Sequence, residues 1–305
     1  MKRRQTVRDL GLTVRMAVVG IVLVALYAGI LAGAVAITLS DLEDPRGWFV
    51  APFVAFLLFA FLTSGDSFVL RAVRARVVDR DEAPQLHELL ERLAAQADLP
   101  APKLALVDRE APNSFAVGVR RSRFTIGVTR GLLDRLEPAE LEAVLAHELS
   151  HLENRDAVIV TAASLFPTAG AFLGRWRFGG RDYRERKRDF REYLFWPFEM
   201  LLAVTLYAFG SLLTFAISRY REYIADRGSA MLTGAPEQLM SALQKLSSET
   251  TRIPERDLRA LSGLNALFIV PVRRRVLELT MDHPPLEKRL ARLGAIAREM
   301  GKPVH

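Results

Sequence analysis

The chain contains no cysteine. That excludes a disulfide framework and any thiolate metal ligand. Histidine is almost as scarce, five residues in 305, so two of them at a meaningful spacing stand out. Lysine is sparse as well, 6 against 36 arginines. There is no internal repeat and no long low-complexity tract, which excludes solenoids and arrays. The formal charge of +7 invites a nucleic-acid reading. Its distribution argues against that: the positive charge flanks apolar segments, as membrane topology requires, so no nucleic-acid partner is expected. Half of the residues are hydrophobic and they are gathered in blocks. The length suffices for one membrane region plus one domain with its own core.

Four apolar segments organise the chain. Met16 to Leu39 runs 24 residues without a charge, long enough to span a bilayer. Five basic residues precede it, and its length and the apolar run that follows argue against a cleaved signal peptide. Trp48 to Leu70 is the second segment, reached through the short acidic turn Asp41 to Gly47 and followed by Arg71, Arg74, Arg76 and Arg80. The positive-inside bias puts the N-terminus and the bulk of the chain in the cytoplasm. Ala157 to Gly174 and Leu194 to Ile217 are the third and fourth segments. The loop between them carries eight basic and four acidic residues, so the charge rule opposes exporting it although each segment is long enough to cross. Two crossings and a shallow hairpin both remain open.

Residues 147–151 read His-Glu-Leu-Ser-His, five residues before the third segment. Histidines at i and i+4 share one helix face. With a glutamate between them they form the metal-binding half of a zinc peptidase site, in which Glu148 can serve as general base. Such a site needs a third protein ligand and an open position for water. One class takes a His six residues after the second, beside a Gly; here those positions hold Ala157 and Asn154, which excludes it. The other solution is a glutamate on a separate helix with an aspartate four residues on, and Glu222 and Asp226 stand at that spacing. Glu222 can ligate the metal, and Asp226 can accept the free ring N–H of one ligating His and fix its orientation. Plainer readings exist: an ordinary amphipathic helix for the histidines, a surface pair with Arg219 or Arg221 for Glu222, a pair with Arg227 for Asp226. His87 and His305 have no partner pattern and are read as non-catalytic.

Four blocks, Asn113 to Ala116, His147 to His151, Ser218 to Asp226 and His283 to Arg289, occur in an order that resembles the HtpX-type membrane zinc metallopeptidases, relatives of the CAAX prenyl endopeptidases. The resemblance covers the chain from about residue 70 to its end; Ser114 stands where many members have Ala. It implies one zinc ion per chain held by His147, His151 and Glu222. Asn113, Ser114, Phe115 and Ala116 become a strand edge that binds an extended peptide. His283 becomes a donor to the substrate carbonyl oxygen. The substrates implied are misfolded or unassembled membrane proteins, and the role is quality control and stress response in the cell membrane. Two other classes stay open: a catalytically silent zinc-containing membrane scaffold, against which the intact Glu148 argues, and a CAAX prenyl-type endopeptidase.

The fold class expected is α+β, mostly α: membrane helices plus a cytoplasmic gluzincin-like zinc peptidase domain with a small sheet. The organisation expected is a two-helix membrane region over 1–70, a first peptidase part over 71–156, the third and fourth membrane segments over 157–217, and a second peptidase part over 218–305. Within it, helices are expected at Pro84 to Ala97, Pro138 to Asp156, Arg219 to Leu232, Pro236 to Leu246 and Pro285 to Met300. A strand is expected at Lys103 to Val107, and a hairpin from Ser114 to Val119 and Arg123 to Val128. No oligomeric partner is legible.

Overall fold

The computed structural model describes residues 69–118, 121–154, 190–250 and 284–302, with isolated positions between 14 and 67. The segments Met16 to Leu39, Trp48 to Leu70 and Ala157 to Gly174 fall wholly or mostly outside the described residues, and so does His283.

The described residues form β1 (Arg76–Val78), α1 (Pro84–Gln96), β2 (Lys103–Val107), β3 (Ser114–Val117), a 3-10 turn (Arg121–Arg123), β4 (Thr125–Thr129), α2 (Arg130–Leu133), α3 (Pro138–Glu153), α4 (Phe190–Thr233), α5 (Pro236–Thr250) and α6 (Leu286–Glu299). The mostly helical fold with one small mixed sheet matches the α+β, mostly α part of the fold class expected; the membrane helices of that expectation are not shown among the described residues. Strand order is β1-β2-β4-β3. β2 runs parallel to β4, and β1 and β3 are antiparallel to their neighbours. β4 lies between two strands and all five of its residues are buried, as Thr-Ile-Gly-Val-Thr suits.

Alternation sorts the sheet into two faces. Leu104, Ile126 and Val128 turn to the main core, where Leu90 and Leu93 of α1 meet Val144, Leu145 and Leu149 of α3. Val107, Phe115 and Val117 turn the other way, into a smaller cluster with Val73, covered by Val69, Leu70 and Ala75. Gly127 pairs with Phe115 across the β3–β4 ladder, and a Cβ there would stand 2.1 Å from the Phe115 ring. The ring thus lies flat on β4 only because that position has no side chain.

α3 is the central helix. Pro138 opens it, Glu137 and Glu140 close a capping box, and every residue from Ala143 to Ser150 is buried. It packs against α4, α5 and β3. It ends at Glu153, with Asn154 as its C-cap, rather than at Asp156.

The helix expected over Arg219 to Leu232 is the C-terminal part of α4, a single helix of 44 residues that also contains the fourth apolar segment. The expected division at 217/218 therefore falls inside one element. The helix runs on because its main-chain bonding is indifferent to the change from apolar to charged side chains. Gly234, at φ 66°, ends it. Counting only described side chains, no helix is long and apolar enough to cross a membrane; in α4 the side chains of residues 190–199, 202, 203 and 206 lie outside the description.

Candidate metal centre

Three elements converge on His147. α3 supplies His147, Glu148 and His151, α4 supplies Glu222 and Asp226, and α6 supplies Arg289. The approach of α3 to α4 is set at Gly228, where a Cβ would stand 2.2 Å from Ser150 Oγ. Ser229 Oγ, one residue on, donates to the Ala143 carbonyl at 2.6 Å.

The i, i+4 spacing brings the two imidazoles together as expected, edge to face, with ring centroids 4.7 Å apart and planes at 89°. Their Nε2 atoms lie 3.1 Å apart. Glu222 faces both, with Oε2 3.6 Å from His147 Nε2 and Oε1 3.6 Å from His151 Nε2. Donor atoms placed tetrahedrally at about 2.0–2.2 Å from a metal stand about 3.3–3.6 Å apart. The two 3.6 Å distances run to different Glu222 oxygens, and one donor atom from each of the three residues lies within 4.8 Å of the others, close enough for the His147-His151-Glu222 group to hold a metal ion. His147 and Glu222 are buried, whereas 12% of the His151 side chain is exposed, so solvent reaches the group on the His151 side.

His147 Nδ1 stands 3.1 Å from Asp226 Oδ1, an ion contact rather than an aligned hydrogen bond. Burial opposes charge on this ring, yet the Asp226 and Glu222 carboxylates outweigh it and raise its pKa to about 9. Surroundings that hold a proton on a fully buried imidazole equally favour a metal cation in its place. Asp226 sits where the spacing put it, against His147.

Arg289 is what sequence reasoning missed. It is 2% exposed and forks onto Asp226, Nε to Oδ2 at 2.9 Å and Nη2 to Oδ1 at 2.6 Å. Its Nη1 reaches Glu222 Oε2 at 3.2 Å. Burial pushes the Asp226 pKa up, but Arg289 and then His147 overcome it, and the carboxyl is held below its ordinary value. A signal was present: Arg289 falls on the apolar stripe Leu286, Leu293, Ile296, Ala297 of α6, where a charge is out of place unless something buried pairs with it. Asp226 therefore pairs with Arg289 and not with its neighbour Arg227, which faces Glu299 at 3.9 Å.

Glu148 is 3% exposed and accepts a hydrogen bond from Ser114 Oγ at 2.6 Å. Asn113 is buried at the start of β3, its carbonyl accepting from Thr129 N–H at 2.9 Å. Ser114 and Ala116 lie on the α3 side of the sheet, whereas the Phe115 side chain points into the smaller cluster. Among the described residues β3 pairs on one side only, with β4, so its other edge is free.

The family model for peptidase family M48 matches residues 80–297. A protease HtpX homolog of Moorella thermoacetica is 43% identical over 98% of both chains. A second homolog, from Methanosarcina mazei, is 39% identical over 98% of this chain and 99% of its own. A third, from Streptomyces coelicolor, is 40% identical over 96% of this chain and 95% of its own. Among solved structures the chain is similar to S. mikatae Ste24p, with a TM-score of 0.55 and 18% identity over 93% of this chain and 67% of that one, a likeness of fold. With a model match over more than half of the chain and relatives about 40% identical along almost its whole length, the chain belongs to peptidase family M48 as one of its HtpX-type metalloproteases.

Proposed function

We propose that the chain is a membrane-anchored, zinc-dependent endopeptidase that cuts misfolded or unassembled membrane proteins beside the cytoplasmic face of the cell membrane, in protein quality control and the stress response. The observation that carries the reading is the His147-His151-Glu222 triangle with the buried Glu148 carboxylate beside it. Two imidazoles and one carboxylate suit zinc, which when bound supplies Lewis acidity toward a carbonyl and acidifies a water.

This chain's own residues do the rest. Glu148 Oε1 is occupied by Ser114, which leaves Oε2 to take the proton of the attacking water and pass it to the leaving amine. Asp226 and Arg289 hold His147 and Glu222 in place through the contacts already described. Across β3 and β4, Asn113, Phe115 and Val117 direct their main-chain groups to β4, so Ser114 and Ala116 direct theirs to the free edge. An extended peptide can pair there with little regard to its sequence, which suits a quality-control enzyme. The role of His283 as a carbonyl-oxygen donor rests on the family resemblance.

Membrane anchoring is supported by α4 itself. Its stretch from Leu201 to Leu212 exposes Leu201, Val204, Tyr207, Phe209 and Leu212. Glu222 follows ten residues later on the same helix, about 15 Å along its axis. A metal held by Glu222 would thus stand close above an apolar collar. The arginines flanking the apolar segments favour a cytoplasmic orientation for that side.

The test is purified wild type against Glu148→Gln in detergent, with β-casein as substrate and elemental analysis for zinc. Both should carry one zinc per chain, and the variant should lose a hundredfold or more in turnover, at the order expected of a positioned acid–base group, about 10²–10⁴. A zinc-loaded wild type that cuts nothing would favour the silent scaffold.

A further inference from the structure

We propose that Ser114 is a positioning residue for the base: the strand that presents the substrate also sets the carboxylate that acts on it. The inference rests on the peptidase reading and adds a residue to its machinery. Ser114 Oγ donates to Glu148 Oε1 at 2.6 Å, a bond between groups 34 residues apart and both sealed from solvent, Ser114 at 0% and Glu148 at 3% exposure. A hydroxyl bonded to a carboxylate makes one of the stronger neutral-to-charged hydrogen bonds. With one oxygen held, rotation of the carboxylate about its terminal bond is restricted, and the other oxygen favours one direction.

The register of β3 gives Ser114 its second part. Ser114 pairs with Val128, and the neighbouring position, Asn113, bonds to Thr129. Alternate residues of an antiparallel pair bond across the ladder, so the main-chain N–H and C=O of Ser114 lie on the free edge of β3. Its side chain, on the α3 face, meets Glu148. One residue therefore touches a docked peptide with its backbone and the base with its side chain. Peptide position and base direction become a single geometric variable.

The prediction separates binding from turnover. Ser114→Ala keeps the main-chain edge and removes the hydroxyl. Ser114→Cys keeps nearly the same volume with a weak donor. Ser114→Thr keeps the hydroxyl. With β-casein in detergent, the Ala and Cys variants should lose about tenfold in kcat, the scale of one lost hydrogen bond to a charged group. KM and zinc content should stay within about twofold of wild type, and the Thr variant should keep most of its kcat. A kcat within twofold of wild type in Ser114→Ala overturns the proposal. So does a loss accompanied by raised KM or missing zinc, which marks a structural role. If the threonine methyl prevents folding, the Ala and Cys variants decide by themselves. An inactive, zinc-loaded wild type overturns the peptidase reading and this inference with it, whereas an active wild type matched by Ser114→Ala overturns this inference alone.

Discussion

Arg289 puts a cation 3.2 Å from a carboxylate of the metal triangle. Burying three carboxylates, Glu148, Glu222 and Asp226, around one metal site would be strongly unfavourable without it, and the two fork bonds to Asp226 satisfy the guanidinium in return. Removing one partner of a buried ion pair costs about 3–5 kcal/mol. Arg289→Met should therefore lower stability by that order in a denaturant melt. Arg289→Lys should recover only part of it, because an ammonium cannot fork. Glu222 and Asp226 separate by role. Glu222→Ala should lose its zinc on dialysis, since two ligands make an incomplete site. Asp226→Ala should keep zinc with an affinity weakened about ten- to a hundredfold, the scale for losing a partner of a ligating His. Full zinc occupancy in Glu222→Ala, read by elemental analysis, would remove it from the ligand set.

Between elements, the α3–α4 contact decides whether Glu222 reaches the histidines. Gly228→Ala places a methyl 2.2 Å from Ser150 Oγ, and such overpacking costs about 1–3 kcal/mol. Zinc affinity should fall with it, and Ser150→Ala in the same chain should restore part of both by removing the closest atom. The α3–α5 contact is a polar clamp. Glu140, 3% exposed, accepts from Ser241 Oγ at 2.6 Å and Lys245 Nζ at 2.8 Å, and its Oε2 also takes the Glu137 N–H at 2.9 Å. Burial raises the Glu140 pKa, but the bonds from Lys245 and Ser241 lower it by more, so the net shift is downward from 4.5. A depressed carboxyl adds stability that is complete above its unfolded pKa, near 4.5, and is lost as pH falls through the lower folded value. Wild type should thus lose more stability than Glu140→Ala between pH 6 and pH 3. At pH 7 the variant should be weaker by about 1–3 kcal/mol. Equal acid slopes in the two melts would deny the clamp.

At the scale of the whole molecule the prediction concerns orientation. Because the chain has no cysteine, single-cysteine variants can be labelled with an impermeant thiol reagent without background. Ser122, exposed in the 3-10 turn beside the free-edged hairpin, should label as cysteine only after lysis if the metal centre faces the cytoplasm. Cysteine at Ser40 should label in intact cells. Labelling of Ser122→Cys from outside would reverse the orientation proposed. Cysteine at Tyr183 distinguishes two full crossings, which expose it outside, from a shallow hairpin, which keeps it inside.

Much of this was written locally. The i, i+4 histidines, the Glu222–Asp226 spacing and the leucine stripe of Pro84 to Gln96 are properties of a 3.6-residue period, which depends on neighbours in the chain alone. Lys103–Val107 likewise stands as read, bounded by Pro102 and the polar turn after it. β1 escaped notice because three residues, two of them exposed, carry no alternation to read. The merger of the fourth apolar segment with the Glu222 helix escaped because composition changes at Ser218 while the backbone does not. The sequence by itself determined the candidate ligands, their spacing and the family. Tertiary structure alone decided what surrounds them. Arg289 reaches Asp226 across 63 positions, Ser114 reaches Glu148 across 34, and Gly228 meets Ser150 where two helices cross. Those pairings depend on how helices and sheet pack, because a buried charge or hydroxyl must find its partner wherever the fold brings one within about 3 Å, however distant in the chain.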